Sequence, residues 1–344
     1  MEPFTPERDA WLGQIVEDIV DPDRRIIDPH HHLWPDGRGL RYGTDQLAGD
    51  LLDGHRVVAT VFIECHAAYD TDRPEHLQPV AETEFVAHSA RRLTADHPDA
   101  PPIAGIVAHA DLSLPADQLA VALDAHEAAT RDGDDRLIHF VGIRDALSRP
   151  LEPDALDIPG RARPDRFADE AFRNGVRELG ARGLTYDTWH YHHQNAEMLE
   201  LARAVPETTM VLDHFGTPLG VGMYEGRRDE IFPEWAASIT ELASCQNVIA
   251  KLGGLAMPDN GFGWHTADRP ATSDEFVAAQ ARYYHHTIEA FGPERCMFES
   301  NFPVDRMSLT YRTLWNGLKK IASRSTDEDQ SAMVELTALR VYGL

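Results

Sequence analysis

The chain has 344 residues, 42% of them hydrophobic and 26% charged, which is enough apolar matter for a large core and rules out a disordered chain. Its formal net charge of −25 repels phosphate backbones and anionic lipid, so nucleic acid and membrane surfaces are excluded as partners. No apolar run reaches the roughly 18 residues of a membrane span, the start is polar and acidic, and three scattered cysteines (Cys65, Cys245 and Cys296) form no disulfide framework. A reduced, cytoplasmic protein is the expectation.

In chain order, residues 1–23 read as an N-terminal extension and 24–344 as a single domain. Eight short apolar runs follow: Arg25 to His30, Val57 to Cys65, Ile103 to Ala108, Leu137 to Arg144, Gly183 to Asp187, Thr209 to His214, Asn247 to Leu252, and Cys296 to Ser300. Most are near-continuously apolar, the pattern of strands covered on both faces. Between them, Pro79 to Leu93, Pro115 to Ala128, Asp169 to Ala181, Asn195 to Ala204 and Asp229 to Ala243 carry helical spacing. Thr272 and Glu275 form a capping box that opens a helix running to Phe291. Two helices, near 308–322 and 327–342, close the chain. Eight strand–helix units predict an α/β fold, a (β/α)8 TIM-type barrel, with a doubly wound open sheet as the alternative. Pro150 to Arg166, with four prolines, and Ala256 to Ala271 are long irregular loops that extend the C-terminal rim.

Chemistry gathers at the strand ends. The first run closes on Asp28-Pro29-His30-His31-His32-Leu33-Trp34. In extended backbone His30 and His32 share a face, about 7 Å apart at Cα, close enough to hold one metal ion or flank one substrate oxygen. The sixth run ends in Asp213-His214-Phe215-Gly216. There His214 is expected at the same rim, with Asp213 on the opposite face as a loop anchor. The eighth ends in Glu299-Ser300-Asn301-Phe302-Pro303-Val304-Asp305.

DxHxH on the first strand, VLDHxG on the sixth, the xSxxPV box on the eighth, GIR at 142–144 and KLGGL at 251–255 together resemble the amidohydrolase superfamily, and within it the lactonase-like amidohydrolase-2 subgroup. The resemblance spans about residues 24 to 343. It implies a distorted barrel with its site at the C-terminal rim. It matches His30, His32 and His214 to the family's metal-binding histidines, with zinc or else manganese as the ion. Some subgroup lactonases work without metal, and there the histidines polarise the carbonyl directly.

The sequence departs from this pattern twice. Asn301 stands where the family has an Asp that ligates metal and activates water, and an amide is no base and a poor zinc ligand. The fifth strand lacks a histidine, although His190 and His192 lie just beyond it. A substitute carboxylate is therefore expected, with Glu299 and Glu64 as the catalytic candidates and Asp187 and Asp305 behind them. Asp305 also fits a helix cap near Arg306. Glu299 is expected to share a face with Asn301. Arg144 could anchor a substrate carboxylate through its guanidinium fork, and Lys251 is expected in a buried ion pair. Trp34, Trp189 and Phe302, with Tyr42 and Trp264, could wall a ring.

The reading is a hydrolase of a small cyclic ester or amide, with a cyclic or aromatic, carboxylated small molecule as partner. A metal-dependent decarboxylase and a non-catalytic binding protein on the same scaffold are the alternatives. A homo-oligomer is compatible with the sequence.

Overall fold

A computed structural model describes residues 5–131 and 138–344. Its eight strands are β1 (Arg25–His31), β2 (Arg56–Ile63), β3 (Ile103–Ala108), β4 (His139–Arg144), β5 (Thr185–Thr188), β6 (Met210–Leu212), β7 (Val248–Leu252) and β8 (Cys296–Phe298). They pair in parallel, each with its sequence neighbour, in the order β1 to β8. Leu137, the expected start of the fourth run, lies outside the described residues.

Closure comes from the tail of β8. The Asn301 amide donates to the His30 carbonyl at 3.0 Å and the His32 amide to the Phe302 carbonyl at 2.8 Å, with a parallel bridge between His31 and Phe302. Asp28 reinforces the seam, accepting from the Ser300 amide and the Tyr311 hydroxyl, both at 3.0 Å. The result is a nearly closed (β/α)8 barrel, as expected.

Helices α1 (Pro6–Leu12), α2 (Thr44–Leu51), α3 (Val80–Asp96), α4 (Ala116–Thr130), α5 (Glu170–Ala181), α6 (Asn195–Ala204), α7 (Arg228–Ala243), α8 (Ser273–Phe291), α9 (Tyr311–Ala322), α10 (Asp327–Ser331) and α11 (Thr337–Tyr342) surround it. The Thr272–Glu275 capping box forms at the start of α8. The last expected helix is interrupted by a π turn at Ala332–Leu336. The N-terminal extension packs on the barrel: Arg8 donates to the His265 and Met307 carbonyls, and Asn316 and Lys319 of α9 hold residues 18 to 21.

Period-2 alternation sorts the strand residues into two cores. Outward side chains such as Ile26, Phe62, Ile106, Ile143 and Phe298 meet the helices. Inward ones (Ile27, Val61, Val107, Val141, Val211, Ile249 and Met297) fill the barrel and are plugged from below by Ala338 and Tyr342 of α11. The next inward position up several strands is charged: Asp213 follows Val211, Lys251 follows Ile249 and Glu299 follows Met297. An apolar layer thus carries a layer of buried charge at the C-terminal rim, where barrels of this kind build their sites.

Candidate active site

Three histidines cluster, and two of them share one carboxylate. The ring centroids of His30 lie 5.0 Å from those of His32 and 4.6 Å from those of His214. Glu299, fully buried, accepts from His214 Nδ1 at 2.7 Å through Oε1, and its Oε2 lies 2.7 Å from His30 Nδ1. His32 Nδ1 bonds the Ile63 carbonyl at 2.8 Å. His31 points the other way, to Thr60 Oγ1 at 3.0 Å, as alternation requires.

These contacts fix the tautomers. A carbonyl and a carboxylate only accept, so Nδ1 of His32 and of His214 carries the proton. His30 Nδ1 faces the Glu299 carboxylate at 2.7 Å, nearer than the Lys251 ammonium at 3.4 Å, and its Nε2 faces the donor Arg144 Nη1 at 3.5 Å, so its proton also sits on Nδ1. His32 and His214 therefore present an Nε2 lone pair, and that of His30 faces Arg144.

Beneath them lies an ion network. Lys251 Nζ is 2.8 Å from Asp187 Oδ2 and 3.2 Å from Asp213 Oδ1, and 3.4 Å from His30 Nδ1. Arg144 donates from Nε to Glu64 Oε1 at 2.8 Å and from Nη1 to Asp213 Oδ2 at 3.4 Å, and its Nη2 bonds the Glu64 carbonyl. Asp187 also accepts from the Tyr342 hydroxyl at 2.6 Å. Burial opposes the charges on Lys251 and Arg144, but their carboxylate partners outweigh it and raise both pKa values. Burial and then Lys251 hold His30 well below its usual pKa, and burial and then Arg144 do the same for His32. His214 goes the other way: burial opposes its charge, and Glu299 more than offsets that, raising its pKa.

Several expectations change. Asp213 faces the cluster rather than anchoring the loop. Strand β6 stops at Leu212, Asp213 shares the inward face of Val211, and left-handed backbone at His214 (φ 52°) and Phe215 (φ 59°) swings the imidazole back to the same side. Asn301 does not share Glu299's direction. Its φ of 54° ends the extended pattern, and its Nδ2 donates to Asp305 Oδ1 at 3.0 Å. Asp305 also accepts from the Ala256 amide at 3.2 Å, and burial pushes its pKa up to about 7. Glu299 is committed to two ring nitrogens rather than left free for water.

Arg144 spends its fork on Glu64 and Asp213, so it is not an open carboxylate anchor. His190 uses both nitrogens inside the scaffold, on Thr188 Oγ1 at 3.1 Å and Asn195 Oδ1 at 3.0 Å. Phe302 and Tyr42 are fully buried core residues, Phe302 packed edge-on to Tyr311. Trp34 stays beside the site, 5.9 Å from the His32 ring. Trp189 Nε1 is buried with no hydrogen-bond partner among the described residues. Lys251 is paired as expected, and the Cys65 and Cys296 thiols are pushed up by burial, the inert state.

Two histidines went unread as site residues: His66 and His109 cluster with Glu64, their ligand atoms within 4.8 Å of one another. The available signal was a polar residue just past an apolar run, in Glu64-Cys65-His66 and in Ala108-His109.

An amidohydrolase family model matches residues 27–344. The chain belongs to the amidohydrolase family. L-Fucono-1,5-lactonase of Burkholderia multivorans is 27% identical to this amidohydrolase over 333 residues, covering 92% of this chain and 96% of the relative. A crystal structure of an amidohydrolase from the same species with bound zinc matches at TM-score 0.68 and 25% identity, covering 93% of this chain and 99% of that one. A putative 2-pyrone-4,6-dicarboxylic acid hydrolase from Pseudomonas putida, at TM-score 0.59 and 15% identity with 92% and 97% coverage, shares the fold. Family membership and the lactonase relative support a hydrolase. The zinc-bound relative, with the ligand atoms of His30, Asp213 and His214 here within 4.8 Å of one another, supports a divalent metal in the family. No described helix is long and apolar enough to cross a membrane.

Proposed function

We propose that this amidohydrolase hydrolyses a small cyclic ester, a sugar lactone in the first instance, whose carbonyl oxygen meets the Nε2 face of His30, His32 and His214. The observation that carries this is Glu299 lying 2.7 Å from Nδ1 of both His30 and His214. One buried carboxylate orients two imidazoles and leaves the outer nitrogen of His214 to the substrate, while that of His30 lies 3.5 Å from Arg144 Nη1.

His30, Asp213 and His214 bring their ligand atoms within 4.8 Å of one another and would hold a divalent ion, with His32 outside that group and its ring 5.0 Å from that of His30. Asp213 is less available, because Lys251 and Arg144 already neutralise it. When bound there, such an ion supplies Lewis-acid polarisation of the carbonyl.

The chain's own residues do the rest. Glu299 fixes ring orientation and supports positive charge on His214. Lys251 and Arg144 hold the surrounding carboxylates in ion pairs, so the negative charge that develops on the tetrahedral oxygen meets a neutralised wall. Asn301 supplies no base. It keeps Asp305 in place beside His214. Trp34, beside His32, offers an apolar face to a ring.

A second reading rests on His214 alone. Glu299 raises its pKa, so an imidazolium there could donate from Nε2 to the carbonyl directly, with no metal.

The test is a pH-indicator assay of acid release on a panel of 1,4- and 1,5-sugar lactones, run beside small aromatic acids monitored for CO2 loss. Lactone turnover supports the proposal. Turnover of the acids alone replaces it with decarboxylation, and thermal stabilisation by ligands without turnover replaces it with binding.

A further inference from the structure

We propose that Glu64, His66 and His109 form a second site for a divalent cation of the zinc type, beside the first cluster and separate from it. Glu64 follows β2 and His109 follows β3, neighbouring strands whose ends converge at the rim. Their ligand atoms and those of His66 lie within 4.8 Å of one another.

Each ligand is prepared in a way the barrel does not otherwise require. Glu64 is 1% exposed. Its Oε1 is taken by Arg144 at 2.8 Å, whereas its Oε2 is buried with no hydrogen-bond partner among the described residues. That oxygen lies 3.4 Å from His66 Nε2. His109 Nδ1 lies 3.0 Å from the Arg144 carbonyl, an atom that only accepts, so Nδ1 carries the proton and Nε2 is left as a lone pair.

His66 sits in left-handed backbone (φ 57°). The amides on either side of it, of Cys65 and Ala67, are gripped by Glu82 Oε1 at 3.3 and 2.6 Å. The Tyr69 hydroxyl is a second buried polar atom without a partner, and its ring packs on those of His66 and His109 at 5.1 and 6.1 Å. Two imidazole nitrogens and a carboxylate oxygen are a zinc-type donor set. The His66 side chain is 56% exposed, which leaves an approach and open positions for water. A cation on Oε2 would give that oxygen the partner it lacks. It would also tie this site to the first through Arg144, which touches Glu64, His30 and Asp213.

The experiment is zinc uptake by chelator-stripped protein, read by elemental analysis after removal of free metal and by the zinc-induced shift in Tm. Wild type is expected to hold one equivalent more than His66→Ala and His109→Gln, and its zinc-induced shift to exceed theirs. His32→Ala is expected to keep the equivalent that His66→Ala loses. His66 is exposed, so its removal leaves the barrel intact. Equal zinc content and equal Tm shift in wild type and His66→Ala overturn the proposal, as does an equivalent lost only in His32→Ala. The readout is metal content, so it does not depend on which substrate the first site turns over.

Discussion

The two clusters at the C-terminal rim satisfy their charges differently. Around Glu299, each carboxylate oxygen lies 2.7 Å from a ring nitrogen, and Asp187 and Asp213 lie in ion pairs with Lys251 and Arg144. Around Glu64, the outer oxygen lies 3.4 Å from the His66 ring nitrogen, and the neighbouring Tyr69 hydroxyl is buried without a partner among the described residues. The first cluster is preorganised from within and presents the Nε2 atoms of His32 and His214. The second is incomplete until something binds. Arg144 joins them, bonding Glu64 on one side and Asp213 on the other.

The largest expected break in this contrast is at the base of the first cluster. Lys251→Met leaves Asp187 and Asp213 buried with no ammonium, and removing one partner of a buried ion pair costs about 3–5 kcal/mol. Urea denaturation should read that loss. A variant as stable as wild type would show that the network does not hold the site.

Next comes Glu299→Gln, which keeps the shape and removes the charge. Loss of a group that orients such imidazoles costs about 10- to 100-fold in activity. The Glu299 carboxylate raises the His214 pKa, so the inflection His214 sets in the pH–rate profile should also move to lower pH. A profile that keeps its wild-type inflection contradicts the assignment.

Asn301→Asp sharpens the comparison differently. It places a carboxylate where the sequence resemblance implies one, but 3.0 Å from Asp305, where Asn301 now donates. Two carboxyls at that distance cannot both ionise freely. Tm should therefore fall, and fall further at pH 8 than at pH 5, because burial pushes the Asp305 pKa up to about 7. An unchanged Tm at pH 8 would mean that the Asn301–Asp305 bond is dispensable.

The smallest effect is at the second cluster. Burial, then repulsion from Glu64, pushes Glu82 up to about 8. A folded pKa above the unfolded value gives stability that is present below about 4.5 and lost as pH rises through about 8. Glu82→Gln can still accept from Cys65 and Ala67 and sheds that loss. Its Tm relative to wild type should thus be higher at pH 9 than at pH 5, as thermal melts at the two values would show.

Much of this was legible in the sequence because period and composition carry it. Eight apolar runs gave the barrel, and the HxH spacing put His30 and His32 on one face. The loop backbone was not legible. Left-handed φ at His214 and Asn301 reverses where side chains point, so Asp213 joined the cluster and Asn301 left it. Arg144 and His190 read as substrate contacts because partners such as Glu64 and Asn195 are distant or out of register in sequence. His66 and His109 belong to separate strands, and only closure of the barrel brings them together.

The central claim is that the imidazoles around Glu299 act on a lactone carbonyl. Its most direct test is kcat/KM of His214→Ala on the best lactone of the wild-type enzyme, with folding checked by thermal melt. The account predicts a fall of at least about 100-fold in a folded protein, the loss expected when a group that stabilises the oxyanion is removed. Turnover at the wild-type rate by folded His214→Ala would contradict it.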